Sequence, residues 1–391
     1  MKKRKICVVV NSRANYGRIK SFLQAVQEHE KLELQLIVGA SALLYRFGSA
    51  IDIIRNDGFE PVSVVYSIVE GETPSTMAKS TGLGILELAT QFENLKPDVV
   101  LTVADRFETL ATAVAASYMN IPLAHTQGGE LTGSIDESVR HAITKLAHIH
   151  FPATQQAGRI LQQMGEDPAS IFVTGCPAMD LAVEACKQNR DNLFKKYGGT
   201  GKSLDWEEPF IIVLQHPVTT EYHEAFFQTQ QTLEAVKRIG MQAVWFWPNV
   251  DAGSDAVSKV LRLFLDSDDP TPIHFYRNFS PEDYVRLMKR CSCIIGNSSS
   301  AIREGSFLGT PAVNVGSRQN QRERGMNIID VGHNADEIYQ AIQVQLKHGH
   351  YAPEHLFGDG NAGIKMAEIL AEHDLDIRKK FCIADQKYEI S

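Results

Sequence analysis

Short apolar runs, continuous rather than alternating, recur from one end of this 391-residue chain to the other, and a segment with helical spacing follows nearly every one. A strand that is apolar at every position has both faces buried, which is the state of strands in a parallel sheet covered by helices on both sides. The first half predicts strands near Ile6–Val10, Leu34–Val38, Pro61–Val65, Val99–Val103, Leu123–His125, Ile149–Phe151 and Ile171–Thr174. The second half predicts Phe210–Leu214, Ala243–Trp247, Ile273–Tyr276, Cys293–Ile295, Ala312–Val315 and Ile328–Asp330. Between the two series, Asn189 to Glu208 is rich in Lys, Gly and Asp and reads as a linker or surface loop. With 43% hydrophobic residues the chain can give each of two domains a core. The expected fold is therefore α/β, two doubly wound Rossmann-like domains facing each other across a cleft. The expected division is 1–188, 189–365 and a terminal segment 366–391, with a helix near Ala362–Ala371 crossing back onto the first domain. Ligands of such sheets bind beyond the carboxyl ends of the strands.

Charge and cysteine usage narrow the function. Lys plus Arg is 39 against Asp plus Glu 47, a net charge of −8, and no basic block is dense enough to track a nucleic-acid backbone. No apolar run reaches the roughly 18 residues that span a bilayer, and Met-Lys-Lys-Arg-Lys leads into a first strand rather than a signal-type segment. These features predict a cytoplasmic protein without nucleic-acid or membrane partners. The six cysteines are scattered and match no zinc spacing, so reduced thiols and no metal site are expected.

The polar clusters fall where strands end. Cys293 to Gly316 reads as strand, tight polar turn, helix and second strand, with Ser298, Ser299 and Ser300 at the helix start. Free N–H groups and the positive end of the helix dipole there attract anionic oxygen, although serine is also an ordinary N-cap. Glu304, one or two turns on, can accept the hydroxyls of a ribose, and the pair points to a nucleoside diphosphate. Arg13 follows the first strand and can fork two phosphate oxygens, if it is not a solvated surface residue. Asp105-Arg106 follows Val99–Val103, with capping of the next helix as the alternative for Asp105. Gly128-Gly129-Glu130 and Asp136-Glu137 crowd one loop and one helix start, with Arg140 and His141 a turn later. Clustered acids raise one another's pKa, which suits proton transfer, whereas Asp136 and Glu137 also fit a cap. In the second half His216 sits on a proline-stiffened turn, Asn249 follows Trp247-Pro248, and Arg318, Arg322 and Arg324 share one loop. Walker, dinucleotide-fingerprint, His-Glu-x-x-His and nucleophile-elbow motifs are all missing, which removes support for hydride transfer and serine hydrolysis.

Taken in order, Ser12-Arg13-Ala14-Asn15-Tyr16, Asp105-Arg106, Gly128-Gly129-Glu130, Ser134-Ile135-Asp136, Arg140-His141, Gln215-His216-Pro217, Pro248-Asn249, Gly296-Asn297-Ser298-Ser299, Gly316-Ser317-Arg318-Gln319 and Gly358-Asp359-Gly360-Asn361 resemble the UDP-N-acetylglucosamine 2-epimerase family, and more particularly its hydrolysing branch in sialic- and legionaminic-acid synthesis. The resemblance implies a glycosyltransferase-B type fold and release of a free mannose-configured sugar and UDP from a UDP-2-acetamido sugar. The substrate would be UDP-N-acetylglucosamine or its 4-acetamido-4,6-dideoxy relative, UDP-N,N'-diacetylbacillosamine. By resemblance Arg13, Arg106, His216, Asn249, Ser298, Ser299, Glu304 and Arg318 hold UDP. Asp105, Glu130 and Asp136, with His216 at the leaving diphosphate, are the catalytic groups. The same resemblance implies no cofactor and a homodimer. Gln127 and Ala42 stand where many relatives carry a carboxylate or histidine and a histidine near the sugar. A non-hydrolysing epimerase, a UDP-sugar glycosyltransferase and an inactive UDP-sugar sensor are the competing readings.

Overall fold

The computed structural model describes residues 2–382 except 72, 104, 134, 188–191 and 249–250. In the first sheet, β1 (Arg4–Val10), β2 (Leu32–Gly39), β3 (Ser63–Val65), β4 (Val99–Val103), β5 (Leu123–Thr126) and β6 (Ile149–Phe151) run parallel in the order β3-β2-β1-β4-β5-β6. In the second, β7 (Gly199–Gly201), β8 (Phe210–Leu214), β9 (Gln242–Phe246), β10 (Ile273–Tyr276), β11 (Cys293–Gly296), β12 (Ala312–Val315) and β13 (Ile328–Val331) are ordered β13-β12-β11-β8-β9-β10-β7, with β7 antiparallel at the edge. The continuous apolar runs explain this directly. Every residue of β4 and β8 is buried, because helices cover both faces.

Each sheet reverses its strand order beside its first parallel strand, between β1 and β4 and between β8 and β11. Crevices open at such switch points, outside the carboxyl ends of the strands. Arg13, Asp105, His216 and Ser298 all follow one of these four strands.

The chain returns to the first sheet at its end. Helix Ala362–Glu372 packs on helix Lys20–Glu28, putting Met366, Ala367 and Leu370 into the same core as Val8, Phe22 and Val26. Asp180, on helix Pro177–Ala185, accepts hydrogen bonds from Ala362 N (2.9 Å) and Gly363 N (2.7 Å), so a carboxylate neutralises the positive end of the returning helix.

Two expectations need correction. Ile171–Thr174 makes a single bridge, Ile171 to His150, and no strand, since the chain leaves the sheet edge after one pairing. The described part of the expected loop Asn189 to Glu208 is built into the second sheet: it contains helix Leu193–Lys196 and β7, and buries Leu193 and Trp206. A three-residue Gly-Thr-Gly strand pairs through backbone alone and carries no apolar signal that a sequence pattern could register. Among the described residues no helix is long and apolar enough to cross a membrane.

Candidate active site

The two switch points enclose a cavity of about 150 Å³, with Arg13, Asp105, Asp136, His216, Ser298 and Arg318 among its walls. Its floor in the second domain begins at the turn after β11. Gly296 has φ +126°, and a Cβ there would lie 2.2 Å from Leu214 O, so only glycine lets the chain turn so close to β8. Asn297 is then fully buried and clamps the neighbouring turn: its Oδ1 accepts from His216 N and its Nδ2 donates to His216 O, each at 2.8 Å. Ser298 caps helix Ser299–Leu308, its side chain accepting from Ser300 N at 3.3 Å. The capping and anion-binding readings of this turn are thus compatible, because Ser299 Oγ instead accepts from Arg18 on the opposite domain.

Arg13 and Arg18 flank the short helix Arg13–Gly17 after β1 and reach across to the second domain, Arg13 through the carbonyl of Arg277. Both are half-buried, and the desolvation of their guanidinium groups in the cleft pulls their pKa down, Arg13 to about 10. Burial also holds the His216 pKa well below its ordinary value, and the nearby Arg318, Arg13 and Arg106 charges push the same way. The imidazole is therefore neutral at pH 7. Arg13, Arg18, Arg106, Arg318 and Arg322 line the wall against the acids Asp105, Asp136 and Glu304, an excess of positive charge that suits a diphosphate.

The acids separate into two kinds. Burial raises the Asp105 carboxyl, but the Arg140 guanidinium that donates to it, with Arg18 and Arg322, outweighs burial and holds it far below the usual range. For Asp136, burial and then the negative charge of Asp105 both raise the pKa, with Arg318, 3.7 Å away, only partly opposing. Glu130 resembles Asp105. Burial raises it, yet Arg303 and Arg322, each 2.5 Å from its Oε2, reverse the shift. These two contacts come from the second domain, as does Asp251, which pairs with Arg106 at 2.9 Å. A buried pair broken on one side costs about 3–5 kcal/mol, so these contacts tie the two domains firmly together.

A family model described as UDP-N-acetylglucosamine 2-epimerase matches residues 24–371. The chain belongs to the UDP-N-acetylglucosamine 2-epimerase family. It is 32% identical over 367 residues to the UDP-N,N'-diacetylbacillosamine 2-epimerase (hydrolyzing) of Legionella pneumophila, covering 94% of this chain and 95% of that one. It is 30% identical over 358 residues to the UDP-N-acetylglucosamine 2-epimerase of Neisseria meningitidis serogroup B, covering 92% of each. A crystal structure of the Neisseria meningitidis UDP-GlcNAc 2-epimerase bound to UDP-GlcNAc superposes with a TM-score of 0.77 at 18% identity, over 94% of this chain and 100% of that one. The fold of this family member is thus the glycosyltransferase-B type, two Rossmann-like domains around a cleft.

Against that family background, the expected site residues divide by position. Arg13, Asp105, Arg106, Asp136, His216, Ser298, Ser299, Glu304 and Arg318 share the one cavity. Asn249 lies outside the described residues. Glu130 stands off the cavity wall, behind Arg322. Gln127 and Ala42 are not on that wall either. Gln127, at φ +61°, donates to Cys176 Sγ at 3.4 Å, and Ala42 is core beside Val10 and Ile54. Arg18 also lines the cavity, while Asn297 clamps the His216 turn and Arg303 pairs with Glu130 behind the wall, and sequence reasoning gave none of the three a role. The adjacent charges Arg303 and Glu304 amid the otherwise apolar and small residues of Ser299–Leu308 were the available signal, because an arginine on such a helix has to find a buried carboxylate.

Proposed function

We propose that this family member is a hydrolysing 2-epimerase, which takes a UDP-2-acetamido sugar of glucose configuration to UDP and the free sugar inverted at C2. The observation that carries this reading is the 3.7 Å pairing of Asp136 with Arg318 inside the one cavity that also holds Arg13, His216 and the serine turn. A diphosphate held by those groups brings C1, and hence C2 one bond further on, beside two carboxylates of opposite character. The name of the Legionella relative supports release of the free sugar. In this reading residues 1–188 supply the acids and 189–365 most of the UDP contacts, and the protein works as a homodimer, which light scattering tests by showing twice the mass of one chain.

Asp105, ionised in the resting site, removes the C2 proton as the C1–O bond breaks and the electron pair leaves on UDP, giving a glycal. Arg13, Arg318, neutral His216 and the helix N-terminus stabilise the departing charge. Once Asp105 carries the proton, its charge no longer holds up the pKa of Asp136, and Asp136 becomes the stronger acid. Asp136 then gives its proton to C2 from the other face while the water oxygen bonds to C1 and its surplus proton is released; Asp105 returns its proton to solvent as Asp136 takes one up. The substrate is UDP-N-acetylglucosamine or its 2,4-diacetamido-4,6-dideoxy relative. Running both in deuterated water, with free UDP and C2 deuterium as readouts, tests mechanism and preference. UDP released without deuterium at C2 of the sugar would mean simple hydrolysis and defeat the proposal.

A further inference from the structure

A second, smaller cavity of about 10 Å³ lies between the turn that carries Glu130, the start of helix Gln155–Gln163 and the loop that carries Arg322. Arg322 lines both this cavity and the main cleft, and so forms the partition between them. The volume is the room of a single water molecule, which needs roughly 10–15 Å³ and two or more polar partners. The floor is buried, with Glu130 6% and Arg322 5% exposed, whereas Gln156 and Gln321 at the rim are open to solvent.

The floor is also incompletely paired. Glu130 Oε2 receives both Arg303 and Arg322, but Glu130 Oε1 and Arg322 Nε, both buried, have no partner within the protein. A buried carboxylate oxygen and a guanidinium N–H are among the costliest groups to leave unpaired, and a single water satisfies both as acceptor and donor. At the edge of the cavity Thr154 Oγ1 donates to Glu323 Oε2 at 2.6 Å, bridging the two domains.

We propose that this cavity is a water site and port: it holds one water between Glu130 and Arg322, refills from bulk past Gln156 and Gln321, and delivers water past Arg322 to the sugar. The inference rests on the hydrolysing reading, in which each turnover consumes one water while a UDP-sugar fills the main opening. In the second half-reaction the water oxygen bonds to C1 as C2 takes the proton of Asp136. The surplus proton of the water passes to Glu130, and from there to the next water in the cavity and out to bulk. Glu130 in this scheme acts from behind the partition, which accounts for its position off the cleft wall.

The direct test is a crystal structure of the full chain with UDP at a resolution that shows ordered water. Density within hydrogen-bond distance of Glu130 Oε1 is expected, and a cavity without it overturns the site. The functional test uses Ala157→Leu, which fills the floor, and Gln156→Trp, which covers the rim from an exposed position that the fold tolerates. Both variants should keep the KM for the UDP-sugar and release free sugar roughly tenfold more slowly, the scale of losing one well-placed water, with glycal appearing beside UDP in the NMR spectrum. Variants that match the unaltered protein in rate and product overturn the port. An unaltered protein that turns over the sugar without releasing UDP defeats the hydrolysing reading instead, and the crystal density then decides the water site separately.

Discussion

Asp105 and Asp136 line one cavity, and although Asp105 is the more buried it is Asp136 that holds its proton more tightly, because Asp105 faces three guanidinium groups and Asp136 faces Asp105. That difference makes a prediction about pH. A carboxyl with a raised pKa keeps its proton to higher pH than an ordinary one, and if Asp136 must donate, turnover is present below its pKa and lost as pH rises through it. Asp105 stays ionised over the same range and contributes no acidic limb of its own. A pH–rate profile should therefore fall on the basic side in the protein and lose that limb in Asp136→Asn, whose residual turnover drops by about 10²–10⁴-fold with UDP affinity nearly unchanged. A profile in Asp136→Asn with the same basic limb would assign the proton to another group. His216 supplies a second check. Its pKa is depressed in the free protein, and a bound diphosphate raises it, so UDP binding should take up protons and weaken as pH rises through the bound-state value. Calorimetry in buffers of different ionisation enthalpy reads that uptake directly.

The turn after β11 and the helix it opens, Ser299–Leu308, combine a backbone constraint with a polar one. Gly296 permits the close approach to β8, Asn297 locks His216 in place, and Ser298 caps the helix that faces the cleft. Changing Ser298 and Ser299 together to Ala should weaken UDP binding by about 1–3 kcal/mol if both hydroxyls meet phosphate. Asn297→Ala should act differently. It strands a buried N–H and C=O of His216, so it lowers stability by about 1–3 kcal/mol as well as loosening the histidine. Thermal melting separates the two: the serine pair leaves the free protein's midpoint almost where it was, and the asparagine variant does not.

The two domains meet through charge as much as through apolar surface. Lys20 pairs with Glu282, Arg106 with Asp251, and Glu130 with Arg303 and Arg322, all between one domain and the other. Gly133 shows how tight the approach is, since a Cβ there would sit 1.9 Å from Ser317 O. Removing one partner of such a buried pair leaves the other uncompensated, so Arg303→Met should destabilise the protein by about 3–5 kcal/mol by denaturant unfolding. UDP, which contacts both sides of the cleft in the proposed reading, should raise the melting temperature, because a ligand at 100 times its Kd adds about 2.7 kcal/mol to the folded state. A melting curve unmoved by saturating UDP would place UDP outside the cleft.

The parallel sheets and most of their strands were legible in the chain because burial on both faces forces a continuous apolar run, as in β4 and β8, and that pattern is local. The cleft-facing groups were legible for a related reason: a strand followed by a polar turn puts its side chains at the carboxyl edge wherever the sheet lies, and Arg13, Asp105, His216 and Ser298 all obey it. The backbone-paired β7 carried no such pattern, and neither did the partners of the acids. Whether Asp136 or Asp105 keeps its proton depends on Arg140, which the fold of the first domain carries to Asp105, and on Arg318 and Arg322, which arrive from the second domain. Glu130 shows the same limit. Its motif marked it as a catalytic acid, but only the tertiary structure set it behind Arg322, facing a cavity of its own, because charge pairing acts through space and a linear pattern records only neighbours along the chain.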